Sequence, residues 1–140
     1  MNSMTRTTGL MGLAAAAALV VAGCAQTIAV NRSTIVPGAT GKLTVEKDES
    51  GNAKLKLEVA HLAPSNQLSP PRAAYVVWGQ TRDGRAFMLG QLKVDDEYSG
   101  VFEGTAPVTS LRVIVSAEES TAATQPGTQI VLSTDNFDAN

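Results

Sequence analysis

The chain has 140 residues, of which 17% are charged and 4% aromatic, and its formal net charge at pH 7 is −2. This length suits a single domain with one hydrophobic core. The charges are scattered and form no basic stripe, which argues against a nucleic-acid partner. Because Cys24 is the only cysteine, no disulfide can form within the chain, and the fold depends on its apolar core and backbone hydrogen bonds.

The N-terminal segment has the layout of a secretory signal peptide. One cation, Arg6, precedes an apolar run that ends at Cys24 and occupies residues 13–24 (LAAAAALVVAGC). The run of roughly 11 apolar residues is too short to cross a bilayer core, which takes about 20. We therefore expect residues 1–23 to be removed. Their loss removes one of 11 Lys and Arg residues and none of 13 Asp and Glu, so the net charge becomes about −3.

The last residues of this segment, Val21, Ala22 and Gly23 before Cys24, resemble the lipobox of bacterial lipoproteins. The resemblance implies that the Cys24 thiol receives a diacylglyceryl group, that the chain is cut just before it, and that the new amine is acylated. Lipid attachment also accounts for an unpaired cysteine in an exported chain. In the lipoproteins that this segment resembles, an Asp directly after the cysteine is the pattern of a protein retained in the inner membrane. Ala25 stands there instead, which favours the outer membrane in a host with two membranes.

Two alternatives stay open for the N-terminus. One is an ordinary secretory signal followed by a free thiol, and the other is an N-terminal anchor that is never cut. Lipidation is favoured because two or three acyl chains give stable anchoring, with about 0.8 kcal/mol from each buried methylene.

After the signal, we expect a short tether at residues 24–33 and then a succession of β-strands. Apolar and polar residues alternate at positions 42–46 and again at 54–59, which is the period of half-buried strands. The turn-forming residues 47–52 (KDESGN) lie between them, so this pair is predicted to form a hairpin. Residues 64–71 (PSNQLSPP) are predicted to be a loop, because their three prolines cannot donate to a strand ladder.

The most apolar stretch of the remaining chain is residues 74–80 (AYVVWGQ), which is typical of a strand buried on both faces. Its tryptophan, Trp78, is expected to be buried. Asp83 and Gly84 then favour a two-residue hairpin turn, and Gly90 in the returning strand suits a bulge. Further strands are expected at residues 98–103, 109–116 and 129–133, with a polar loop at 117–127.

No segment carries an apolar stripe with helical period that is long enough for a predicted helix. Seven or eight short strands at this spacing predict an all-β fold, an immunoglobulin-like antiparallel β-sandwich over residues 34–140.

One series of residues in the second half of the chain matches the pattern of a known family: Tyr75-Val76-Val77-Trp78, Asp83-Gly84, Leu89-Gly90, Val101, Leu111 to Ser116, Pro126-Gly127 and Ile130-Val131-Leu132. With this series, residues 72–134 resemble the extracytoplasmic domain of RskA-type anti-sigma factors, which is a β-sandwich outside the membrane. Members of that family usually carry a sigma-binding segment and a transmembrane helix before this domain, and this sequence has no such pattern. The resemblance therefore implies the fold rather than the regulatory activity.

The single histidine, His61, gives little support for catalysis or metal binding. Zinc needs three or four nitrogen or sulfur ligands, which one histidine and one lipidated cysteine cannot supply. A Ser-His-Asp triad using Asp83, Asp95 or Asp135 would lack the Gly-x-Ser-x-Gly motif. A structural role is therefore favoured for His61.

Two acidic clusters are interpreted as solvated turns. Asp48-Glu49 and Asp95-Asp96-Glu97 offer oxygen ligands for calcium, but their spacing does not match an EF-hand loop. We predict no metal, no cofactor and no catalytic residue.

The sequence therefore predicts a non-enzymatic, lipid-anchored protein of the bacterial envelope. It would interact with the membrane through Cys24 and with an envelope protein through its loops or an exposed strand edge. The alternative is a regulatory or sensory ectodomain, and a small hydrolase is a more distant third. The candidate contact residues are Asn66 and Gln67 in the first long loop and Glu118 and Glu119 in the second.

Overall fold

The structure, a computed structural model, describes residues 24–140. They form nine strands and one 3₁₀ turn, Ser65–Gln67, so the expected all-β class is confirmed. In chain order the strands are β1 Gln26–Asn31, β2 Thr40–Lys47, β3 Ala53–Ala60, β4 Ala74–Gln80, β5 Ala86–Leu92, β6 Gly100–Ala106, β7 Ser110–Glu118, β8 Ile130–Thr134 and β9 Phe137–Asp138.

The strands form one antiparallel sheet in the order β5-β4-β7-β8-β1-β2-β3-β6, and β9 pairs with β7. Strand β1 joins two halves of this sheet, because residues 26–29 pair with β2 while Val30 and Asn31 pair with β8. The first and last strands in this order, β5 and β6, meet where the Phe102 ring lies against Gly90. A Cβ added to Gly90 would be 2.8 Å from Cε2 of Phe102. The sheet therefore nearly closes into a barrel. The antiparallel pairing is confirmed, and the immunoglobulin-like sandwich stays a prediction.

The segment expected to be a tether, residues 24–33, contains strand β1. Ile28 and Val30 pack against the main core, while Thr27 and Ala29 between them are exposed. This alternation has the period of a strand, but it is short and built partly from small residues, so its signal in the sequence is weak. The sheet begins at Gln26, two residues after Cys24.

The predicted hairpin between β2 and β3 is confirmed, with paired residues from Thr40 and Ala60 to Lys47 and Ala53. The Asp48 carboxylate closes its turn by accepting hydrogen bonds from the backbone N–H groups of Ser50 and Asn52, each at 2.9 Å. The bond from Asn52 is the chief reason why the pKa of Asp48 lies below its ordinary value.

The reversal between β4 and β5 has a three-residue loop rather than the predicted two-residue loop. Gln80 pairs with Ala86, and the Thr81 N–H still donates to the Arg85 carbonyl at 2.9 Å, so the loop proper is residues 82–84. Gly84 has φ = 89° and occupies the left-handed position that ends such a loop. Thr81 and Arg85 therefore extend the ladder by one pair.

The main core lies inside the curved sheet and takes alternate residues from both of its halves. Burying one such aliphatic side chain contributes about 1.5–3 kcal/mol. The largest fully buried side chains of this cluster are Tyr75, Leu43, Leu57, Leu62, Leu92 and Leu111.

A second, smaller apolar cluster lies on the outer face of β4, β7 and β8. Val76, Trp78 and Ile114 are buried there, and Ala123 and Ile130 pack against them. Since Ala123 belongs to the loop between β7 and β8, this loop covers the outer face. The predicted burial of β4 on both faces and of Trp78 is confirmed, but Trp78 lies outside the main core.

Strand directions give the molecule two distinct ends. Gln26 pairs with Val45, so Cys24 lies at the same end as the turns 48–52 and 81–85, which we call the Cys24 end. At the other end, which we call the loop end, are the loops 61–73, 93–99 and 119–129. An eight-residue strand at about 3.3 Å per residue separates these ends by about 25 Å.

Candidate functional site

Cys24 is a free, exposed cysteine next to the first strand. The side chain of Gln26 fixes this position, because its Nε2 donates to the Asp138 carbonyl at 3.3 Å and its Oε1 accepts from the Asn140 N–H at 2.8 Å. Only Ala25 therefore separates Cys24 from a residue that is tied to the folded body. The remaining residues of the predicted lipobox, Val21, Ala22 and Gly23, lie outside the described residues.

The two loops predicted to carry recognition lie side by side at the loop end. Arg72 holds them together: its Nε donates to Oε1 of Gln129 at 2.8 Å, and its Nη1 donates to Oε1 of Glu119 at 2.8 Å. Gln129 is buried and donates from Nε2 to the Pro70 carbonyl at 3.3 Å. The Arg72 guanidinium is thus positioned by a buried amide, with Glu119 as its solvent-exposed partner.

Glu118 and Glu119 have different environments although they are neighbours. The Glu118 carboxylate accepts hydrogen bonds from the Gly127 N–H and the Ser116 hydroxyl, each at 2.6 Å, so it fastens the loop that follows β7. The Glu119 side chain is 83% exposed and makes only an ion pair with Arg72 among residues 24–140. Glu119 is therefore available to a partner, whereas Glu118 serves the fold. Both line an open depression of about 580 Å³.

Asn66 and Gln67 lie in the first loop, and neither lines the depression beside the two glutamates. Asn66 is exposed, and Oε1 of Gln67 accepts a hydrogen bond from the Tyr98 hydroxyl at 3.3 Å. Tyr98 belongs to the turn between β5 and β6, and its side chain is 43% exposed. The loop end therefore has two polar parts, one around Arg72 and Glu119 and one around Gln67 and Tyr98.

His61 is exposed at the loop end with φ = 57°, and Tyr98, in the turn between β5 and β6, has φ = 61°. The N–H of the next residue, Leu62, donates to the Tyr98 carbonyl at 3.0 Å and joins the two segments. His61 and Tyr98 are the two non-glycine residues with positive φ among residues 24–140, a conformation that costs about 1–2 kcal/mol. Strain is thus concentrated where the first loop meets the turn between β5 and β6.

The three carboxylates considered as partners of His61 are all engaged elsewhere. Asp83 bonds to Thr81 and Arg85 within its own turn. Asp95 accepts the backbone N–H groups of residues 97 and 99, and Asp135 accepts from the Asn31 amide. Hydrogen bonds to Thr81 and the nearby Arg85 charge hold the pKa of Asp83 below its ordinary value.

The acidic clusters have the geometry of turns. Asp48 and Asp95 each accept two backbone N–H groups from the residues that follow them, while Glu49 and Asp96 are exposed. Within residues 24–140, no three His, Cys, Asp or Glu side chains are grouped so that they could hold a metal ion.

Arg72 and Gln129 were not predicted from the sequence. They are 57 positions apart, and their contact depends on the pairing of Ala74 with Glu118, which brings the start of β4 beside the end of β7. A weaker signal did exist for the cover over Trp78. A strand that is apolar on both faces needs a second covering layer, and in the structure Ala123 of the loop that follows β7 contributes to it.

Fold and site together define an all-β domain with one nearly closed antiparallel sheet, an exposed cysteine at one end and clustered loops at the other. Comparison with family models, curated proteins and solved structures finds no match for the chain. The likeness to anti-sigma ectodomains and the regulatory role it suggests stay predictions. In the described part of the chain, no helix has the length and apolar character needed to cross a membrane.

Proposed function

We propose that the chain is a non-enzymatic, lipid-anchored binding module of the bacterial cell envelope. The single observation that carries this proposal is the position of Cys24, two residues before β1 and at the opposite end from the clustered loops. An acyl group on the Cys24 sulfur would place the loop end about 25 Å above the bilayer, given about 3.3 Å per residue along eight-residue strands.

The anchor has direct support in the chemistry of the N-terminus. Cys24 is exposed, and its thiol has no competing cysteine anywhere in the chain. An apolar run with small residues at its end precedes it, as in a lipoprotein signal. Ala25 favours the periplasmic side of the outer membrane in a host with two membranes.

The binding role is assigned to the loop end because loops on a rigid sheet commonly carry recognition. Its exposed side chains include Asn66, Tyr98 and Glu119, and the Arg72 guanidinium is preorganised beside Glu119. The partner is proposed to be an envelope protein, with no cofactor and no nucleic acid. An immunoglobulin-like arrangement of the two half-sheets is part of this proposal, supported by the core that they share.

Mass spectrometry of the mature protein tests the anchor. The first tryptic site after Cys24 is Arg32, so the expected peptide is residues 24–32 carrying acyl mass on its N-terminal cysteine. Cys24→Ser should move the protein from the membrane fraction to the soluble fraction, while the neighbouring control Ala25→Ser should stay membrane-bound. Intact residues 1–23 on the mature protein, or firm membrane binding of Cys24→Ser, would contradict the proposal.

Site-specific photo-crosslinking tests the binding surface. A crosslinking amino acid at position 66 or 119 should capture a discrete envelope protein from intact membranes. The same group at position 49, in a turn at the Cys24 end, is the matched control because Glu49 is also exposed. Equal capture from both ends would contradict the assignment of the loop end.

A further inference from the structure

An open depression of about 580 Å³ lies at the loop end, where Arg72 meets the end of β7 and the loop that follows it. Among the described residues that line it, Arg72 carries the only positive charge. Ala122 and Ala123 line it as well. A group that enters the depression therefore meets one guanidinium beside small apolar side chains.

The Arg72 side chain is held in place although 24% of it is exposed. Its Nε donates to Oε1 of Gln129 at 2.8 Å, and Gln129 is only 8% exposed and is itself bonded to the Pro70 carbonyl. A guanidinium has five N–H donors, and within residues 24–140 only Nε and Nη1 of Arg72 have partners. Its Nη2 can therefore donate to a ligand without breaking a contact of the described chain.

Glu119 uses only part of what this guanidinium offers. One of its oxygens accepts one hydrogen bond, from Nη1 at 2.8 Å, and its side chain is 83% exposed. A carboxylate held by both Nη1 and Nη2 accepts two parallel hydrogen bonds, which give more energy and more specificity than one. Since exposed ion pairs contribute little to stability, Glu119 can move into solvent at small cost. Glu119 is therefore a replaceable stand-in for an external carboxylate.

Charge favours a carboxylate over a basic group in the depression. A basic ligand would compete with Arg72 for Glu119, and Arg72 is already fixed in place, so it loses little freedom in that contact. The other acidic residue, Glu118, already accepts two hydrogen bonds at Oε1. With Glu119 in solvent, the charges of Arg72 and Glu118 balance, so the depression has no net charge to repel an anion.

We propose that Arg72 binds a carboxylate of the partner polypeptide, which displaces Glu119 and accepts hydrogen bonds from Nη1 and Nη2. The site deepens the binding role proposed for the loop end and rests on it. The carboxylate is that of a C-terminus or of an Asp or Glu side chain, since both present the same planar pair of oxygens to the guanidinium. Ala122 and Ala123 are placed to contact the residue that carries it.

Short peptides added to the ¹⁵N-labelled chain test the site. One probe is acetyl-Ala-Ala with a free C-terminus, and the other is acetyl-Ala-Asp-Ala-amide, so the two sources of a carboxylate are compared. A peptide that binds should shift the Nε signal of Arg72 and the amide signals of residues 117–129. The matched controls, acetyl-Ala-Ala-amide and acetyl-Ala-Asn-Ala-amide, lack the negative charge and should bind about fivefold more weakly.

Variants of the chain make the test specific. Glu119→Ala removes the stand-in and should tighten binding of the carboxylate peptides by up to about fivefold. Glu97→Ala removes the same charge from another exposed residue at the loop end and should change the affinity less. Arg72→Lys keeps the charge but loses the paired donors, so it should weaken binding by about fivefold. Glu119 is exposed, so its variant gives a result even where Arg72→Lys fails to fold.

Three results would overturn the proposal: no difference between the charged peptides and their amide controls, weaker binding of the carboxylate peptides to Glu119→Ala than to the wild type, or tighter binding of acetyl-Ala-Lys-Ala-amide than of the Asp peptide. The third result would assign the depression to a basic partner. The peptides are added to the purified chain, so failure of this site and failure of photo-crosslinking to an envelope protein are separate outcomes.

Discussion

The indole Nε1 of Trp78 donates a hydrogen bond to Oγ of Ser116 at 2.8 Å in a fully buried environment. The Ser116 hydroxyl donates in turn to Glu118, which also accepts the Gly127 N–H. A chain of polar contacts therefore leads from the buried tryptophan to the loop that covers it. The outer cluster is held by these few hydrogen bonds as well as by its small apolar contact with Ala123.

Replacing Ser116 with alanine should destabilise the protein by about 1–3 kcal/mol, because the indole N–H then lies buried without an acceptor. Urea unfolding measures this loss. Ser50→Ala, at an exposed turn position, is the matched control and should change the free energy of unfolding by less than about 0.5 kcal/mol. In the Trp78→Phe background the effect of Ser116→Ala should shrink, since the donor is gone. An undiminished effect there would show that the Trp78 contact is not the cause.

Glu118→Ala should loosen the covering loop more than Glu119→Ala does. Glu118 satisfies a backbone N–H and a buried hydroxyl, so its loss should cost about 1–2 kcal/mol, whereas the exposed Glu119 ion pair contributes at most about 1 kcal/mol. Trp78 is the only tryptophan, so acrylamide quenching of its fluorescence reports whether the loop still covers it. Quenching should rise in Glu118→Ala and stay near the wild-type value in Glu119→Ala. The reverse order would mean that Arg72, not Glu118, fastens the loop.

Local patterns allowed much of the fold to be predicted. The period-two alternation of β2 and β3, the turn residues at 47–52 and the apolar composition of β4 each correspond to a confirmed element. These features depend on interactions between residues close in sequence, or on burial that composition alone indicates.

The features that escaped prediction depend on distant pairings. β9 has two residues, and its place in the fold is defined by Leu111 and Phe137, which lie far apart in the sequence. β1 divides its pairing between β2 and β8, and nothing in its six residues indicates both partners. The contact of Arg72 with Gln129 likewise depends on the completed sheet. Local sequence patterns carry no information about such pairings.

Tyr75 should make the protein sensitive to alkaline pH. Burial raises the pKa of its hydroxyl to about 12, and the hydroxyl donates to the Ala63 carbonyl. The pKa in the unfolded chain is about 10, so this stabilisation is complete below pH 10 and is lost as the pH rises from about 10 towards 12. Urea unfolding of the wild type should therefore show a falling free energy of unfolding over that range.

Two variants isolate the contribution of Tyr75 to this pH dependence. Tyr75→Phe should be less stable than the wild type at pH 7 by about 1 kcal/mol, because it loses a hydrogen bond, and its stability should fall less steeply above pH 10. Tyr98→Phe removes the only other tyrosine, which is 43% exposed, and should keep the wild-type slope. Equal slopes for all three proteins would contradict the role assigned to Tyr75.

At position 61, glycine should destabilise the protein less than alanine does. His61 holds φ = 57°, where alanine keeps the steric cost of a Cβ and glycine avoids it. His61→Gly should therefore be about 1 kcal/mol more stable than His61→Ala in thermal or urea unfolding. At Ser50, which is an exposed turn residue without positive φ, the order should be reversed, with alanine the more stable. If glycine and alanine gave equal stability at position 61, the left-handed conformation would not be imposed by the fold, and the strain at the loop end would have to be rejected.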